Sequence, residues 1–415
     1  LVGSEMCIRD SVYLFRNLCH DIIIKNSQNI RGVQMKSFTF FMHNIYAMGG
    51  TVKSISQLAN TLAEKGHPVT IISVFRGNDQ PYFNLHKDIK VQDLVDYRLK
   101  PTHFNAILAN RIRKYTPLLK PKHLSQYEPG LNQFSSYVEK KMIKAIKRVS
   151  TDVLIGTRAS FNILIAKYQN KNVTTVAMEH MNFNAHEQKF QNQIINAYRD
   201  VNKITTLTSA DQSIYQSKLK TPVYVVPNIA NNKRIAAQKK NIILAAGRLE
   251  YEKGFDLLLE SIRLIQDDLR HLNYELHLYG DGQEKEHLKQ FIDQYQLQDI
   301  VHLYPATPSL NQKLAQSKIT VIPSRNEGFG MVILEAMAQD NIVISFDGNT
   351  GPDSIIKSGK NGYLVTHDDT SQLAKRIDLT MHNDEELQHI IQEGHETLKS
   401  YSAEAVYHDF MNMFT

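Results

Sequence analysis

Two glutamates eight residues apart mark the stretch SRNEGFGMVILEAMA, which covers residues 324–338. Glu327 lies beside Gly328 and Gly330 in a loop, whereas Glu335 stands within a run of apolar residues. The apolar segment before the loop predicts a strand, and the residues after the second glycine predict a helix. Glycines let a ligand approach the backbone closely, and the first turn of a helix offers unpaired N–H groups to an anion. This loop is therefore a candidate ligand site.

The apolar surroundings of Glu335 require a partner for its carboxylate, because an unpaired buried charge is strongly destabilising. Sugar hydroxyls would serve as hydrogen-bond donors to this carboxylate. A salt bridge to a nearby arginine or lysine would serve equally well. The spacing of the residues leaves both interpretations open.

A second stretch, AAGRLEYEKGFD, places Arg248 and Lys253 in the loop that follows another predicted strand. An arginine offers a planar fork of donors and a lysine offers a point charge, so the pair suits a diphosphate. Charge-assisted hydrogen bonds of this kind contribute about 1.5–3 kcal/mol each. The alternative is a solvated loop in which the two cations pair with Glu250 and Glu252.

Two glycine-containing loops give weaker signals. Gly49 and Gly50 follow the first predicted strand, where they would either bring backbone N–H groups to a phosphate or sugar or form only a tight turn. They do not belong to a G-x-G-x-x-G sequence, so the fingerprint of nicotinamide dinucleotide binding is absent. Gly280, Asp281 and Gly282 form a Gly-Asp-Gly sequence, which is usually only a turn.

Side chains for acid–base or nucleophilic chemistry are few. His180 follows a buried strand of the first half and is expected to face the cleft, although a single histidine is more often structural. The two cysteines, Cys7 and Cys19, both lie in the first 34 residues. The rest of the chain therefore offers neither a thiolate nucleophile nor zinc thiolates.

Short apolar runs alternate with helical stretches after Met35, which predicts an α/β fold with mostly parallel sheets. One series of strands ends near residue 229, and a second begins after a polar linker. We predict an N-terminal Rossmann-like domain over residues 35–229, a C-terminal one over 230–400, and a helix over 401–415 that crosses back to the first domain. Two such doubly wound domains would hold a ligand in the cleft between them.

The composition sets outer limits on function. The chain has 415 residues, 42% of them hydrophobic and 22% charged, with a net charge of +6. It has no apolar run long enough for a membrane-spanning helix, so we expect a cytoplasmic protein. Residues 1–34 lack the features of a secretory signal and resemble a translated sequencing adapter, so we predict that they are a non-native leader.

The segments GRLEYEKG, GDG and SRNEGFGMVILEAMA, in this order, resemble the donor-binding half of glycosyltransferase family 4, whose members are retaining enzymes with the GT-B fold. The resemblance implies that Arg248 and Lys253 hold the diphosphate of a nucleotide-sugar donor and that Glu335 accepts hydrogen bonds from its ribose. Glu327 would contact the donor sugar, and His180 would contact the transferred sugar near the reacting carbon. Ten further residues are expected to bind substrate: Gly49, Gly50, Gly280, Asp281, Gly282, Ser324, Arg325, Gly328, Phe329 and Gly330.

The resemblance also implies a mechanism. Front-face transfer would retain the anomeric configuration, and the protein would mainly stabilise charge on the departing diphosphate. The chain contains no Asp-x-Asp sequence, so we expect no metal and no other cofactor. Two other functions stay open: a catalytically silent GT-B partner subunit and a nonhydrolysing sugar-nucleotide epimerase.

The acceptor is indicated by a basic segment, residues 98–148, which has twelve lysines and arginines but only two acids, Glu128 and Glu139. Such a charge attracts phosphate-rich polymers or an anionic membrane face, although a solvated surface without a partner is the alternative. The segment has no nucleic-acid-binding motif. Stretches such as AMEHMNF and GPDSIIKSGKNGYLV resemble enzymes that glycosylate bacterial surface polymers. We therefore expect UDP-glucose or UDP-GlcNAc as donor, teichoic acid or a related anionic polymer or lipid-linked glycan as acceptor, and peripheral membrane contact.

Overall fold

The structure is a computed structural model that describes residues 35–98, 104–115 and 119–415. The segment 1–34, which we predicted to be a non-native leader, lies outside the described residues. Lys100 of the basic segment also lies outside them. No helix within the described part of the chain has the length and hydropathy of a membrane span.

The first half of the chain forms a seven-stranded sheet in the order β3-β2-β1-β4-β5-β6-β7, and every described pairing in it is parallel. Its strands are β1 (Phe38–Met42), β2 (Val69–Arg76), β3 (Lys90–Asp96), β4 (Val153–Gly156), β5 (Thr174–Met178), β6 (Lys203–Thr206) and β7 (Val223–Val225). The helices between them are α1 (Gly50–Glu64), α2 (Phe104–Tyr115), α3 (Ser136–Arg148), α4 (Ala159–Tyr168), α5 (Gln188–Tyr198) and α6 (Ser209–Lys218).

The second half forms a six-stranded parallel sheet in the order β10-β9-β8-β11-β12-β13. Its strands are β8 (Ile242–Ala246), β9 (Glu275–Tyr279), β10 (Val301–Tyr304), β11 (Ile319–Ile322), β12 (Ile342–Phe346) and β13 (Tyr363–Val365). Its helices are α7 (Phe255–Leu264), α8 (Gln266–His271), α9 (Lys285–Gln294), α10 (Leu310–Gln316), α11 (Met331–Met337), α12 (Thr350–Ile355), α13 (Thr370–Met381) and α14 (Asp384–Lys399), and α15 (Ala403–Asn412) follows.

Continuous burial explains why the central strands are apolar throughout. All five residues of β1 and all five of β12 are buried, because helices cover both faces of each sheet. Three strands escape the sequence analysis: β3 is a half-exposed edge strand with polar positions, whereas β6 and β13 have only four and three residues. The predicted α/β class with two doubly wound domains is confirmed.

Each sheet reverses its strand order at one point, between β1 and β4 in the first and between β8 and β11 in the second. Loops at the carboxyl ends of strands diverge at such a point and leave a crevice where ligands bind. The loops that follow β1, β8 and β11 contain the candidate residues Gly50, Lys253 and Glu327. The topology therefore explains why residues far apart in sequence meet.

The terminal helix α15 packs against the first sheet, as expected for the crossover helix. Phe410 is fully buried and its ring centroid lies 5.5 Å from that of Phe38 on β1. The hydroxyl of Tyr407 lies 3.0 Å from Nε2 of His67, and Glu404 forms an ion pair with Lys65. The end of the chain thus links the second half to the first.

Candidate functional site

A cavity of about 560 Å³ lies between the two halves of the molecule. Both domains line it with residues at the carboxyl ends of their strands. Nine of the predicted site residues line it: Gly50, His180, Arg248, Lys253, Ser324, Glu327, Gly328, Phe329 and Gly330.

The loops after β8 and β11 are held together by close backbone packing. Gly254 has a φ of 63°, and a Cβ atom on it would lie 1.9 Å from the carbonyl oxygen of Pro323. The N–H groups of Arg325 and Asn326 donate to the carbonyl of Glu252 at 2.9 and 3.2 Å. Only glycine fits at position 254, since a side chain would push the two loops apart.

Glu327 is fixed by a small polar network. Its backbone N–H donates to Oδ1 of Asn349 at 2.9 Å, and Nδ2 of Asn349 donates to the carbonyl of Ser324 at the same distance. Its carboxylate accepts from Nζ of Lys253 at 2.6 Å and from Oγ of Ser324 at 3.3 Å. The predicted diphosphate lysine and the predicted sugar-binding acid are therefore partners, whereas the sequence had offered Glu250 and Glu252 for this pairing.

Arg248 has a different environment. It lines the cavity with an exposed side chain and forms no ion pair with any residue that the structure describes. Its guanidinium therefore offers hydrogen-bond donors to a ligand in the cavity without breaking an ion pair.

Glu335 is 5% exposed, and its carboxylate forms an ion pair with Lys53 of the first domain. Lys53 lies in the first turn of α1, three residues after Gly50, and Glu335 lies within α11. Of the two interpretations that the sequence left open, the structure shows the salt bridge. Its partner comes from the opposite wall of the cleft, 282 positions away along the chain.

The Gly-Asp-Gly sequence has a packing role in the structure. A Cβ on Gly280 or Gly282 would lie 2.0 or 2.2 Å from the carbonyl oxygens of Gly247 and Leu249, respectively. Asp281 accepts a hydrogen bond at 3.0 Å from the backbone of the loop after β10. None of the three glycine-turn residues is among the residues that line the cavity.

Arg325, another predicted substrate-binding residue, is paired with a neighbouring acid. Its guanidinium forms two hydrogen bonds to Asp256, at 2.8 and 2.6 Å, and stacks over the ring of Tyr251 at 4.0 Å. It is not among the residues that line the cavity. Arg325 therefore supports the loop rather than the ligand space, because its charge is already paired.

His180 faces the cavity as a neutral group. Burial, and then the charge of Arg158, lower the pKa of His180 to about 4. Its Nε2 has no hydrogen-bond partner among the described residues. A neutral imidazole with a free ring nitrogen suits a contact with a sugar hydroxyl.

The backbone around Gly50 and Gly328 leaves room for a ligand. A Cβ on Gly50 would meet no atom within 4 Å, so packing does not require glycine there. A Cβ on Gly49 would meet only Val52, at 4.0 Å, and Gly49 does not line the cavity. At Gly328 a Cβ would approach His180 of the other domain to 3.6 Å. Gly330 has a φ of 86° and begins α11, which requires a residue that tolerates a left-handed conformation.

Sequence reasoning missed several residues that hold the site together. Lys53 is the most important, and its position one turn after the Gly-Gly pair was the available signal. Asn182 donates to Thr350 across the cleft at 3.3 Å. Asn349 and the ion pair between Arg158 and buried Glu128 were missed as well, because their roles depend on contacts between distant loops.

A buried carboxyl supports the strand end that carries His180. Glu179 accepts hydrogen bonds from Nδ2 of Asn162, at 3.0 Å, and from the hydroxyl of Tyr198. Burial, against the lowering effect of the hydrogen bonds from Tyr198 and Asn162 and with a small contribution from the carboxylate of Asp211, raises the pKa of Glu179 to about 7. The carboxyl of Glu179, next to His180, is therefore mostly protonated below about pH 7.

The arrangement combines cationic donors, carboxylates and a neutral imidazole in one cavity. Arg248 and Lys253, together with the first turn of α1, suit an anion of two phosphates. Glu327 at the cavity wall suits hydroxyl groups. Glu335 is not among the residues that line the cavity, and its carboxylate is paired with Lys53.

Comparisons with known proteins agree with this chemistry. The family described as "Glycosyl transferases group 1" matches residues 228–397. An uncharacterized glycosyltransferase of Haemophilus influenzae is 26% identical over 362 residues, which cover 85% of this chain and 92% of that protein. A poly(ribitol-phosphate) alpha-N-acetylglucosaminyltransferase of Staphylococcus aureus is 26% identical over 231 residues, which cover 55% of this chain and 46% of that protein.

A solved structure shows the same fold. A mutant of S. aureus TarM, crystallised with fondaparinux, alpha-GlcNAc-glycerol and UDP, matches with a TM-score of 0.72 at 16% identity. The match covers 92% of this chain and 100% of that one. At this identity the likeness establishes the architecture, and the assignment of individual residues rests on the geometry above.

The ion pair between Lys53 and Glu335 should couple the two domains energetically. We expect a double-mutant cycle of Lys53→Met and Glu335→Gln to give an interaction energy of about 1–3 kcal/mol, measured by chemical unfolding. The single Lys53→Met change should destabilise more than the double change, because it leaves a buried carboxylate unpaired.

The pair between Lys65 and Glu404 provides the matched control, because both of its side chains are more exposed. A cycle of Lys65→Met and Glu404→Gln should give less than about 1 kcal/mol. Equal interaction energies in the two cycles would contradict a special role for the pair in the cleft.

Glu179 should make stability depend on pH. The folded-state pKa is raised from 4.5 to about 7, so between these values the folded protein keeps a proton that the unfolded chain has released. Stability contributed by this group therefore falls as pH rises through that window, by on the order of 3 kcal/mol. Glu179→Gln keeps the Oε1 acceptor and should remove this slope. A stability difference between the two proteins that is constant from pH 4 to about 8 would refute the assignment.

Proposed function

We propose the donor and the acceptor of this chain, a glycosyltransferase with the GT-B fold whose residues 228–397 match the group 1 glycosyl transferases. It transfers a hexose or N-acetylhexosamine from a nucleotide diphosphate sugar, UDP-glucose or UDP-GlcNAc, with retention of configuration. The acceptor is a cell-surface polymer or lipid-linked glycan such as teichoic acid. The donor lies in the cavity between the domains.

The observation that carries the proposal is the pair of cations at the switch point of the second sheet. Arg248 is free of ion pairs among the described residues and Lys253 lies five residues further along the same loop. Cations at the carboxyl end of a strand in an interdomain cavity fit the diphosphate of a nucleotide sugar. The opposite wall brings the backbone of Gly50 to the same space.

Glu335 is proposed to bind the ribose hydroxyls of the donor. One of its oxygens is paired with Lys53, and the donor hydroxyls would use the other oxygen or replace the ammonium group. Glu327 stands at the cavity wall beside Lys253 and is proposed to contact the donor sugar. His180 would accept or donate one hydrogen bond to that sugar without carrying a charge.

The proposed reaction breaks the bond between the anomeric carbon and the departing phosphate oxygen. The acceptor hydroxyl attacks the same face of the sugar, and the departing phosphate oxygen takes its proton. Arg248 and Lys253 stabilise the negative charge that grows on the diphosphate. The two domain walls exclude water from the oxocarbenium-like centre.

Donor binding is tested with UDP-glucose, UDP-GlcNAc and other nucleotide sugars, scored by thermal shift and by slow hydrolysis without acceptor. Arg248→Ala should weaken UDP binding at least tenfold, or about 1.4 kcal/mol, because it removes a charge-assisted contact. The free energy of unfolding should change little, because Arg248 forms no ion pair with a described residue.

Two further variants sharpen the donor test. Gly50→Leu fills open space rather than packed space, so it should block donor binding while the protein still folds. Arg199→Ala removes an exposed arginine outside the cavity and should bind UDP like the unaltered protein. Normal UDP affinity in both Arg248→Ala and Gly50→Leu would exclude the cavity as the donor site. Conversion of the donor sugar without transfer would identify an epimerase instead.

The acceptor side is suggested by the surface of the basic segment. Its two acids are both internal: Glu128 pairs with Arg158, and Glu139 accepts three backbone N–H groups at 2.6 to 2.9 Å. Eight of its described cations are exposed: Arg111, Lys114, Lys120, Lys122, Lys140, Lys144, Lys147 and Arg148. Arg98 is already paired with Asp79 and Asp96, so it does not contribute a free charge. The described surface of this segment is thus basic, because its two acids are internal and paired.

Helix α3 carries four of these cations on one face, with Val138, Met142 and Ile146 packed into the core. We infer that this face contacts an anionic, phosphate-bearing surface. Changing Lys140, Lys144, Lys147 and Arg148 to glutamine should reduce cosedimentation with phosphatidylglycerol vesicles at least about tenfold, since each cation near such a surface contributes about 1 kcal/mol. Donor hydrolysis should stay unchanged.

The matched control neutralises four exposed lysines elsewhere, namely Lys171, Lys189, Lys220 and Lys233. Equal loss of vesicle binding in both quadruple variants would show that binding depends on the net charge of the protein and not on this face of α3. Binding to phosphatidylcholine vesicles should be weak for every protein.

A further inference from the structure

Three potential metal ligands converge on the outer strands of the second sheet, away from the cleft. Glu275 and His277 lie two residues apart on β9, so they project from the same face of the sheet. His302 on β10 is the register partner of His277. One ligand atom from each residue lies within 4.8 Å of the other two.

The spacing of the ligand atoms is close to that of a tetrahedral ion. Nε2 of His302 lies 3.3 Å from Oε2 of Glu275, and Nε2 of His277 lies 2.8 Å from the same oxygen. Two ligands bound to Zn²⁺ at its usual bond lengths are about 3.3 Å apart. One distance therefore fits as it stands, and the other requires only a small side-chain adjustment.

Rigid backbone positions and solvent access both favour a site. All three side chains project from hydrogen-bonded strands, which hold ligands more firmly than loops do. The side chain of His277 is 14% exposed, whereas those of His302 and Glu275 are 32% and 48% exposed. An ion can enter from solvent, and one coordination position would stay open for water.

We propose that Glu275, His277 and His302 bind a divalent transition-metal ion of the Zn²⁺ class. Two imidazoles and one carboxylate form a ligand set that suits this class, whereas Mg²⁺ and Ca²⁺ prefer oxygen ligands. The site is separate from the proposed transfer reaction, because none of the three residues lines the interdomain cavity.

A bound ion would stabilise the edge of the second sheet. Strand β10 has only four residues and is the edge strand of the second sheet. A ligand from each of two strands would fasten this edge to β9, and binding to the folded state alone would raise stability. Lys313 lines the pocket next to His277, and its positive charge opposes cation binding.

The test uses the full chain without a histidine tag, titrated with Zn²⁺ by calorimetry and with Co²⁺ by visible absorption. We expect one ion per chain by calorimetry. Bound Co²⁺ should show the visible absorption of a low-symmetry site with nitrogen and oxygen ligands. Glu275→Gln and His302→Ala should each weaken binding at least tenfold. Lys313→Met should strengthen it. Zn²⁺ should raise the melting temperature of the unaltered protein but not that of Glu275→Gln or His302→Ala.

His287→Ala is the matched control, because His287 forms a pair with Glu284 on the surface of the same domain but has no third ligand in the described part of the chain. This variant should bind one ion like the unaltered protein. The proposal is overturned by unchanged Zn²⁺ affinity in both Glu275→Gln and His302→Ala, or by the absence of saturable one-to-one binding. Nucleotide-sugar hydrolysis is measured in parallel and should not respond to these variants.

Discussion

Pairing of buried charge across the cleft is the constraint on which the site depends. Glu335 is nearly inaccessible to solvent and would be strongly destabilising without a partner, so the first domain supplies Lys53. Glu327 is also paired, with Lys253 of its own domain. The acids that would bind hydroxyl groups are thus neutralised before a ligand arrives. A ligand then exchanges partners at these carboxylates. Of the two described cations that line the cavity, Arg248 and Lys253, only Arg248 has no ion pair with a described residue.

Much of the fold could be predicted because parallel strands buried on both faces are continuous apolar runs. Strands such as β1 and β12 can be recognised from the sequence for this reason. Strand β3 does not, because it is an edge strand whose exposed positions are polar, and β13 has only three residues. The crossover of α15 was also predictable, since its apolar face needs a partner and Phe410 finds one in the first sheet.

The site could be predicted only where its residues form a recognisable pattern within one loop. The loop containing Glu327 and the loop containing Lys253 both follow strands at a switch point, so their meeting follows from topology. The position of Lys53 one turn after the Gly-Gly pair was a signal for a site residue. Its pairing with Glu335 could not be predicted, because the two residues lie 282 positions apart in the sequence. The glycines at 280 and 282 show the opposite case: their type reflects close packing against neighbouring carbonyl groups, which a sequence pattern cannot distinguish from ligand binding.

The same ion pair links donor binding to the arrangement of the domains. Lys53 and Glu335 lie on helices of different domains, so their attraction contributes free energy only when the two walls of the cleft are close. A donor whose ribose replaces Lys53 at Glu335 removes this contribution and must substitute its own contacts to both walls. Such a ligand alters the balance between closed and open arrangements by the difference between the two sets of contacts. By reciprocity, any change that separates Lys53 from Glu335 also changes the affinity for the donor, even if it touches no atom of the nucleotide.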